Sequence, residues 1–529
     1  MTTPQVRSPV PFDVAAIEAA PDWRYNLAWP LAHEERCDVL KAQMRALIDF
    51  VCAAPHEVRD ILSLAAQVLT HNAKVLADTA LTLNYAERRG LHFSGDRPEL
   101  AFLRGDITSP EQSARSWNPP LVGAGPRWAR RIARTASWTP WWRLPGACLF
   151  PSAMAASHNS LLRAGAAVSS KSVGFRHADS WLEAARAAAG DVPPTPGLDE
   201  LAASLADALA AVKGLEELLR GRLQTLIGHH ARQAFATADR DLVALRGFAG
   251  LPGELWAGTG GSYPVRALSL EVLRRGGKVV HFDHGGPNGF IEDFEGMTVS
   301  ELMVASEFVL TTPEVAGMFS RVGAVELIDS LRRVTVSGGP GDPVFQGSGG
   351  FRRRPYGARP RVVYVPTTLV GFRQLHPPVI PDVVSLDWQM RVAEALSEMP
   401  VELSCRVHPE GLHPGDHHPL ADIAPLAGGS FDDVIAGADV LVIDCSVTTT
   451  FWQCLCSDVP VVYLHMDVGR LTAEAWPIIE RRCRVIRTTY DERDLPQFDR
   501  EQLADAVGGG CSVADPAELR RLLAGVNAP

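Results

Sequence analysis

Three apolar runs between residues 361 and 470 each stop at a cluster of small polar or cationic groups. The first, RVVYVPTT, ends at Pro366, Thr367 and Thr368. The second, VELSCRVHPEG, carries Arg406, His408, Pro409 and Glu410 just past its apolar part. The third, ADVLVIDCSVTTTFWQCL, stops at Asp444 and opens a hydroxyl run of Ser446, Thr448, Thr449 and Thr450. Such units read as strands of an open parallel sheet, where ligands sit beyond the carboxyl ends of the strands. Three ends bearing Thr, His and Ser/Thr groups predict one site for a phosphate and the group attached to it.

A second strand–helix alternation lies upstream. GELWAGTGGSYPVRALSLEVLRRGGKVVHFDHGG reads as strand, Gly-rich loop, helix from near Pro264, glycine stop, strand and polar loop. The loop glycines Gly258, Gly260 and Gly261 would let a backbone approach a ligand, and a helix N-terminus attracts anions. The loop is neither G-x-G-x-x-G nor a P-loop, and a tight turn explains it equally well. In HFDHGG, His281 reads as a packed strand residue. Asp283 and His284 at the strand end are candidates to accept a proton from an incoming hydroxyl. Glu292, Asp293 and Glu295 read mainly as a solvated loop.

A chain of 529 residues exceeds one compact core, so two or three domains are expected. Residues 1–250 read as mainly helical and partly belonging to an acceptor-side domain. Residues 251–337 continue that Rossmann-like domain. Residues 338–360, rich in Gly, Pro and Arg, read as a linker. Residues 361–500 form a second Rossmann-like domain, and 501–529 are C-terminal helices. Helical periodicity is strong from 22 to 89 and ends at Arg88, Arg89 and Gly90.

His229 and His230 are adjacent on a helix, point to different faces and suit packing better than metal binding. His413, His417 and His418 sit among Pro and Gly and read as a surface loop. The run 115–143 interleaves Trp117, Trp128, Trp138, Trp141 and Trp142 with six arginines and no acidic residue. It reads as a packed loop and short helix, or as a surface for anionic lipid or glycan.

The net charge of −10 argues against a general nucleic-acid binder. No apolar run reaches spanning length, and the N-terminus lacks a signal-peptide pattern. Nine scattered cysteines without a C-x-x-C pair imply reduced thiols in the cytoplasm.

Taken together, RVVYVPTT, RVHPEG and ADVLVIDCSVTTTFWQCLCSDVPVVYL resemble the nucleotide-binding domain of one group of GT-B glycosyltransferases. That group contains the CDP-glycerol polyol-phosphate transferases, bacterial sialyl- and polysialyltransferases, and capsule-type Kdo transferases. The His284–Gly285 loop looks like the group's acceptor-side His-Gly loop. The resemblance covers roughly residues 253–490. It implies two Rossmann-like domains facing a cleft; the mainly helical N-terminal region is extra and lies outside the resemblance. It also implies a CMP-activated acidic sugar as donor, and a glycan, lipid-linked or protein acceptor. His408 and Pro409 would meet the CMP moiety. Ser446, Thr448 and Thr449 would bind its phosphate, with Thr367 and Thr368 nearby. His284 or Asp283 would lie on the acceptor side. The group's usual Ser-Ser or Ser-Thr pair is here Ser446–Val447–Thr448–Thr449, a departure at the phosphate ligand.

No metal or other cofactor is expected, and catalysis is expected to depend on closure between the domains. The expected location is cytoplasmic, with peripheral contact on the inner face of a membrane through residues 115–143. A CDP-glycerol-type phosphotransferase and a non-catalytic sugar-nucleotide-binding assembly protein are the alternatives.

Overall fold

The computed structural model describes residues 10–20, 22–95, 97–112, 139, 144–190, 193–292, 294–346, 359–369, 380–408, 417–510 and 515–525. Apart from Thr139, the Trp/Arg run 115–143 lies outside the described residues.

Two parallel sheets flanked by helices form the frame. The first contains β1 (Ala153–Ala155), β2 (Val173–Phe175), β3 (Glu254–Ala257), β4 (Lys278–Phe282), β5 (Glu307–Leu310) and β6 (Thr335–Gly338). Its order is β2-β1-β3-β4-β5-β6. The second contains β7 (Arg361–Val365), β8 (Glu402–Cys405), β9 (Val440–Ile443), β10 (Val461–His465) and β11 (Arg484–Arg487). Its order is β8-β7-β9-β10-β11. This α/β arrangement is compatible with two Rossmann-like domains. The strand order reverses between β1 and β3 and again between β7 and β9, where ligands bind in such sheets. Every residue of β9 and β10 is buried, as expected where helices cover both faces and the strand reads as one apolar run. The first two strands of the first sheet come from the region expected to be mainly helical.

That region also supplies the long helices α1 (His33–Ala53), α2 (His56–Arg89), α3 (Leu198–Ala210) and α4 (Glu217–Arg246). They pack on one another, and α2 and α4 also pack on α5 (Tyr263–Arg274), the helix between β3 and β4. Leu40, Met44, Leu47, Ile48 and Val51 of α1 are buried at spacings of three and four, so packing on one stripe holds the helix in place. His229 and His230 are buried in α4, and His229 bonds Gln233 at 2.9 Å, which bears out the packing reading.

Among the described residues the halves meet through several elements. Ile291 bridges Leu471, with Glu292 N donating to Arg470 O (2.7 Å) and Thr472 N to Phe290 O (2.9 Å). The N-terminal region reaches across to the second half. Arg24 forks onto Asp387 and Glu394, and His33 stacks on Tyr490 with ring centroids 4.8 Å apart. Finally, two helices of the second half meet segments that follow β5 and β6. Of these, α6 (Thr449–Cys456) follows β9, and α7 (Ala517–Ala524) returns to the first sheet. Thr311 and Thr312 hydroxyls both donate to Leu522 O, and Asp342 N donates to Leu523 O. Residues expected as a linker are therefore partly structured. Gly338 ends β6, and Pro343–Gln346 is a short helix packed on α6 and α7. Residues 347–358 of that segment lie outside the described residues. Among the described residues no helix is long and apolar enough to cross a membrane.

Candidate functional site

The switch point of the second sheet is built on Asp444, which directly follows β9. Tyr364 Oη (2.6 Å) and Trp388 Nε1 (3.1 Å) donate to its Oδ2, and Thr367 N (2.7 Å) donates to Oδ1. Burial raises its pKa, and these donors counter that shift. Asp444 thereby holds the Pro366–Thr368 loop beside the start of α6. Thr367 and Thr368 are half-exposed there, and Pro366 is buried.

The hydroxyl run divides by direction. Ser446 is fully buried, and its Oγ donates to Val468 O (3.0 Å) and Gly469 O (3.3 Å). It fixes the loop after β10 and is not presented to a ligand, which corrects its assignment as a phosphate contact. Thr448 is the N-cap of α6, its Oγ1 accepting from Phe451 N (3.4 Å) and lying 2.9 Å from Thr450 Oγ1. Thr448, Thr449 and Thr450 remain half-exposed at the helix N-terminus, where backbone N–H groups favour anions. Arg406 is likewise committed. Its guanidinium donates to Ala427 O (2.8 Å) and Gly429 O (2.9 Å), tying down the segment that follows. A direct ligand role for Arg406 is thus replaced by a positioning one. His408 stands exposed beyond β8, and Pro409 and Glu410 lie outside the described residues.

On the first sheet the Gly-rich loop is anchored from below. Glu301 accepts from Thr259 Oγ1 (3.0 Å) and Gly260 N, and its Oε2 lies 3.0 Å from His281 Nδ1. Burial alone would raise Glu301, but the bond and charge of His281 hold it down at about 2. A Cβ on Gly260 would collide with the His281 ring, and one on Gly258 would meet the backbone of His158 and Asn159 at 2.7 Å. Both glycines serve close packing within the protein, which corrects their reading as ligand contacts. Gly261 alone of the three is half-exposed. His281 is fully buried, as the packed reading expected.

At the end of β4, Asp283 is 1% exposed. Asn288 Nδ2 donates to its Oδ1, and its Oδ2 is buried with no hydrogen-bond partner. Burial pushes its pKa up to about 8. At neutral pH Asp283 is therefore mostly the neutral acid, enclosed by protein, and cannot meet a substrate hydroxyl as a base in this arrangement. His284, next in sequence, is exposed. Sequence reasoning missed Asn159. It caps the helix Ser160–Val168 and donates from Nδ2 to Gly258 O (2.8 Å), Phe282 O (3.1 Å) and Asp283 O (2.8 Å). An Asn before an amphipathic run was the available signal. The role of Glu301 had none.

The two carboxyl ends face each other. Gly285 has φ +91°, and a Cβ there would lie 3.1 Å from Thr449 Oγ1. A side chain would be strained by the backbone and crowded by the threonine. The His284 loop thus touches the N-terminus of α6. Two further histidines are engaged elsewhere: His417 pairs with Asp422 at 2.8 Å, and His418 is buried and accepts from Leu420 N. His413 lies outside the described residues.

Comparison with known protein families finds none that matches this chain, and comparison with curated proteins finds no match.

Proposed function

We propose that this chain is a GT-B glycosyltransferase that moves a CMP-activated acidic sugar, a nonulosonic acid or Kdo, onto a glycan, lipid-linked or protein acceptor. The observation that carries the reading is the meeting of two parallel-sheet carboxyl ends at Gly285 and Thr449. The C-terminal helix that returns to the first sheet adds support, as does the motif resemblance over residues 253–490.

In the proposed reaction an acceptor oxygen forms a bond to the anomeric carbon of the donor. The bond from that carbon to the CMP phosphate oxygen breaks, and the electron pair leaves with CMP. His284, exposed on the acceptor side, takes the hydroxyl proton. The N-terminus of α6, with Thr448 and Thr449, receives the phosphate, and His408 offsets its growing charge. Asp283 supports the His284 loop from beneath. Its burial is the one observation that weighs toward a non-catalytic nucleotide-binding protein, and the exposure of His284 weighs against it.

A thermal-shift panel with CMP, CDP, UDP, GDP and ADP tests the donor half, because a ligand of the native state raises its stability in proportion to RT ln(1 + [L]/Kd). CMP should give the largest shift. A larger shift with CDP favours the polyol-phosphate reaction, and preference for UDP overturns the cytidine reading.

A further inference from the structure

Helix α2 is buried along most of its length. Between positions 61 and 80 its half-exposed residues are Gln67, Val68, His71, Asn72, Lys74 and Val75. They lie on one side of the helix, with Gln67, His71 and Lys74 aligned at i, i+4 and i+7. Gln67 Nε2 is 2.9 Å from His71 Nε2, and Lys74 Nζ lies 3.5 Å from Met44 Sδ of α1.

This open stripe is fixed at the carboxyl end of the first sheet. A Cβ on Gly261 would lie 3.8 Å from Gln67 Nε2. One turn earlier, Ser63 O accepts from Arg266 Nη2 at 2.5 Å. The Nη1 of the same guanidinium donates to Val299 O (2.7 Å) and Ser300 O (2.9 Å). Arg266 is fully buried, so its guanidinium ties α2 to the elements around the Gly-rich loop. Gly261 and Ser262 stay half-exposed beside the stripe. At its Lys74 end the stripe meets α1 at Met44; one turn earlier on α1, Lys41 Nζ lies 5.6 Å over the Phe294 ring and 3.9 Å from Glu295.

We propose that this stripe is the acceptor-binding wall, and that it takes a hydroxyl-rich chain bearing a carboxylate or phosphate. The purpose assigned to it rests on the transferase reading above, but its chemistry does not. Amide, imidazole and ammonium groups supply directed hydrogen bonds to hydroxyls and a charge-assisted bond to an anion. Val68 and Val75 give the small apolar contact that a sugar ring's C–H face needs. The helical region at the N-terminus thereby closes the acceptor side with side chains that the first sheet lacks.

The test measures binding of the full chain to tetragalacturonic acid, a phosphorylated mannan fragment and neutral maltotetraose. Gln67→Ala, Lys74→Ala and Lys74→Arg are compared with the parent. The expected result is binding of at least one charged probe, weakened about tenfold or more by Gln67→Ala and by Lys74→Ala. Lys74→Arg should keep most of it, and the Tm and the CMP-induced shift should not change in any variant. The carboxylated and phosphorylated probes separate the two anion sources. Binding of neither charged probe, equal binding of the neutral one, or unchanged binding by the variants overturns the proposal. A missing CMP shift with intact, stripe-dependent glycan binding would instead sink the donor reading and leave this one standing.

Discussion

Phe290 and Trp452 stack with ring centroids 4.6 Å apart and planes tilted by 36°, one ring from each half of the molecule, and neither is exposed. Trp452 Nε1 also donates to Ser446 O at 2.9 Å, so the ring is fixed from the second half. The antiparallel bridge at Ile291 and Leu471 begins one residue after Phe290. The halves therefore share buried apolar surface, and whatever closes the candidate site acts around this seam.

Phe290→Ala should cost about 3–5 kcal/mol, the usual loss for a large buried aromatic side chain. Because the cavity sits between the halves, calorimetry should resolve two transitions where the parent shows one. Phe290→Leu should recover most of the loss. A variant that unfolds in a single transition at the parent Tm would show that the seam does not couple the halves.

Gly285→Ala places a methyl group where φ is +91° and Thr449 Oγ1 is 3.1 Å away. The backbone strain alone costs roughly 1–2 kcal/mol. The His284 loop must also withdraw from α6, so the CMP-induced thermal shift should shrink together with transfer activity. Thr449→Ala removes the crowding hydroxyl, so Gly285→Ala combined with it should regain part of the stability but, with a proposed phosphate contact gone, not the activity. Full activity in the single glycine variant would separate the loop from the site.

His408→Ala removes an exposed side chain, and the variant should still fold. If the imidazole assists the leaving phosphate, turnover from a CMP-linked donor should fall about a hundredfold or more. Near-normal turnover would remove His408 from the chemistry.

The parts of the fold that could be read in advance are those with local causes. The helix over 56–89 shows its periodicity and its glycine stop, and β9 and β10 are apolar from end to end because both faces are covered. A strand followed by a helix is also expected within GACLFPSAMAASHNSLLRAG, where β1 and the helix Ser160–Val168 lie, but β2 is three residues, VGF, too short and too plain to stand out. The return of the C-terminal helix depends on Thr311 and Thr312, more than two hundred positions from Leu522. The hydroxyl run after β9 announced a phosphate site, but a hydroxyl that caps, one that faces outward and one that bonds a neighbouring loop look alike in sequence. Ser446 turned inward because Val468 and Gly469 carbonyls needed a donor. The same limit applied to Gly258 and Gly260: a glycine that admits a ligand and one that admits a neighbouring loop or ring read the same.

Asp283 offers a test that needs no substrate. Its pKa is about 8 in the fold, against an ordinary value of 3.8. The folded state holds the proton that the unfolded chain gives up, so stability is complete below about pH 4 and falls as pH rises toward 8. The slope from one such group is about 1.4 kcal/mol per pH unit, which by pH 7 sums to on the order of 4 kcal/mol. Asp283→Asn cannot ionise. It still accepts from Asn288 and, like the neutral acid, offers a donor at the position of Oδ2. The variant should therefore match the parent near pH 4 and exceed it by several kcal/mol in urea unfolding at pH 7.5. Asp342, also raised by burial, titrates in both proteins and largely cancels in the difference. A gap that does not change between the two pH values would mean that Asp283 is ionised in the fold. It would then regain its candidacy as the base.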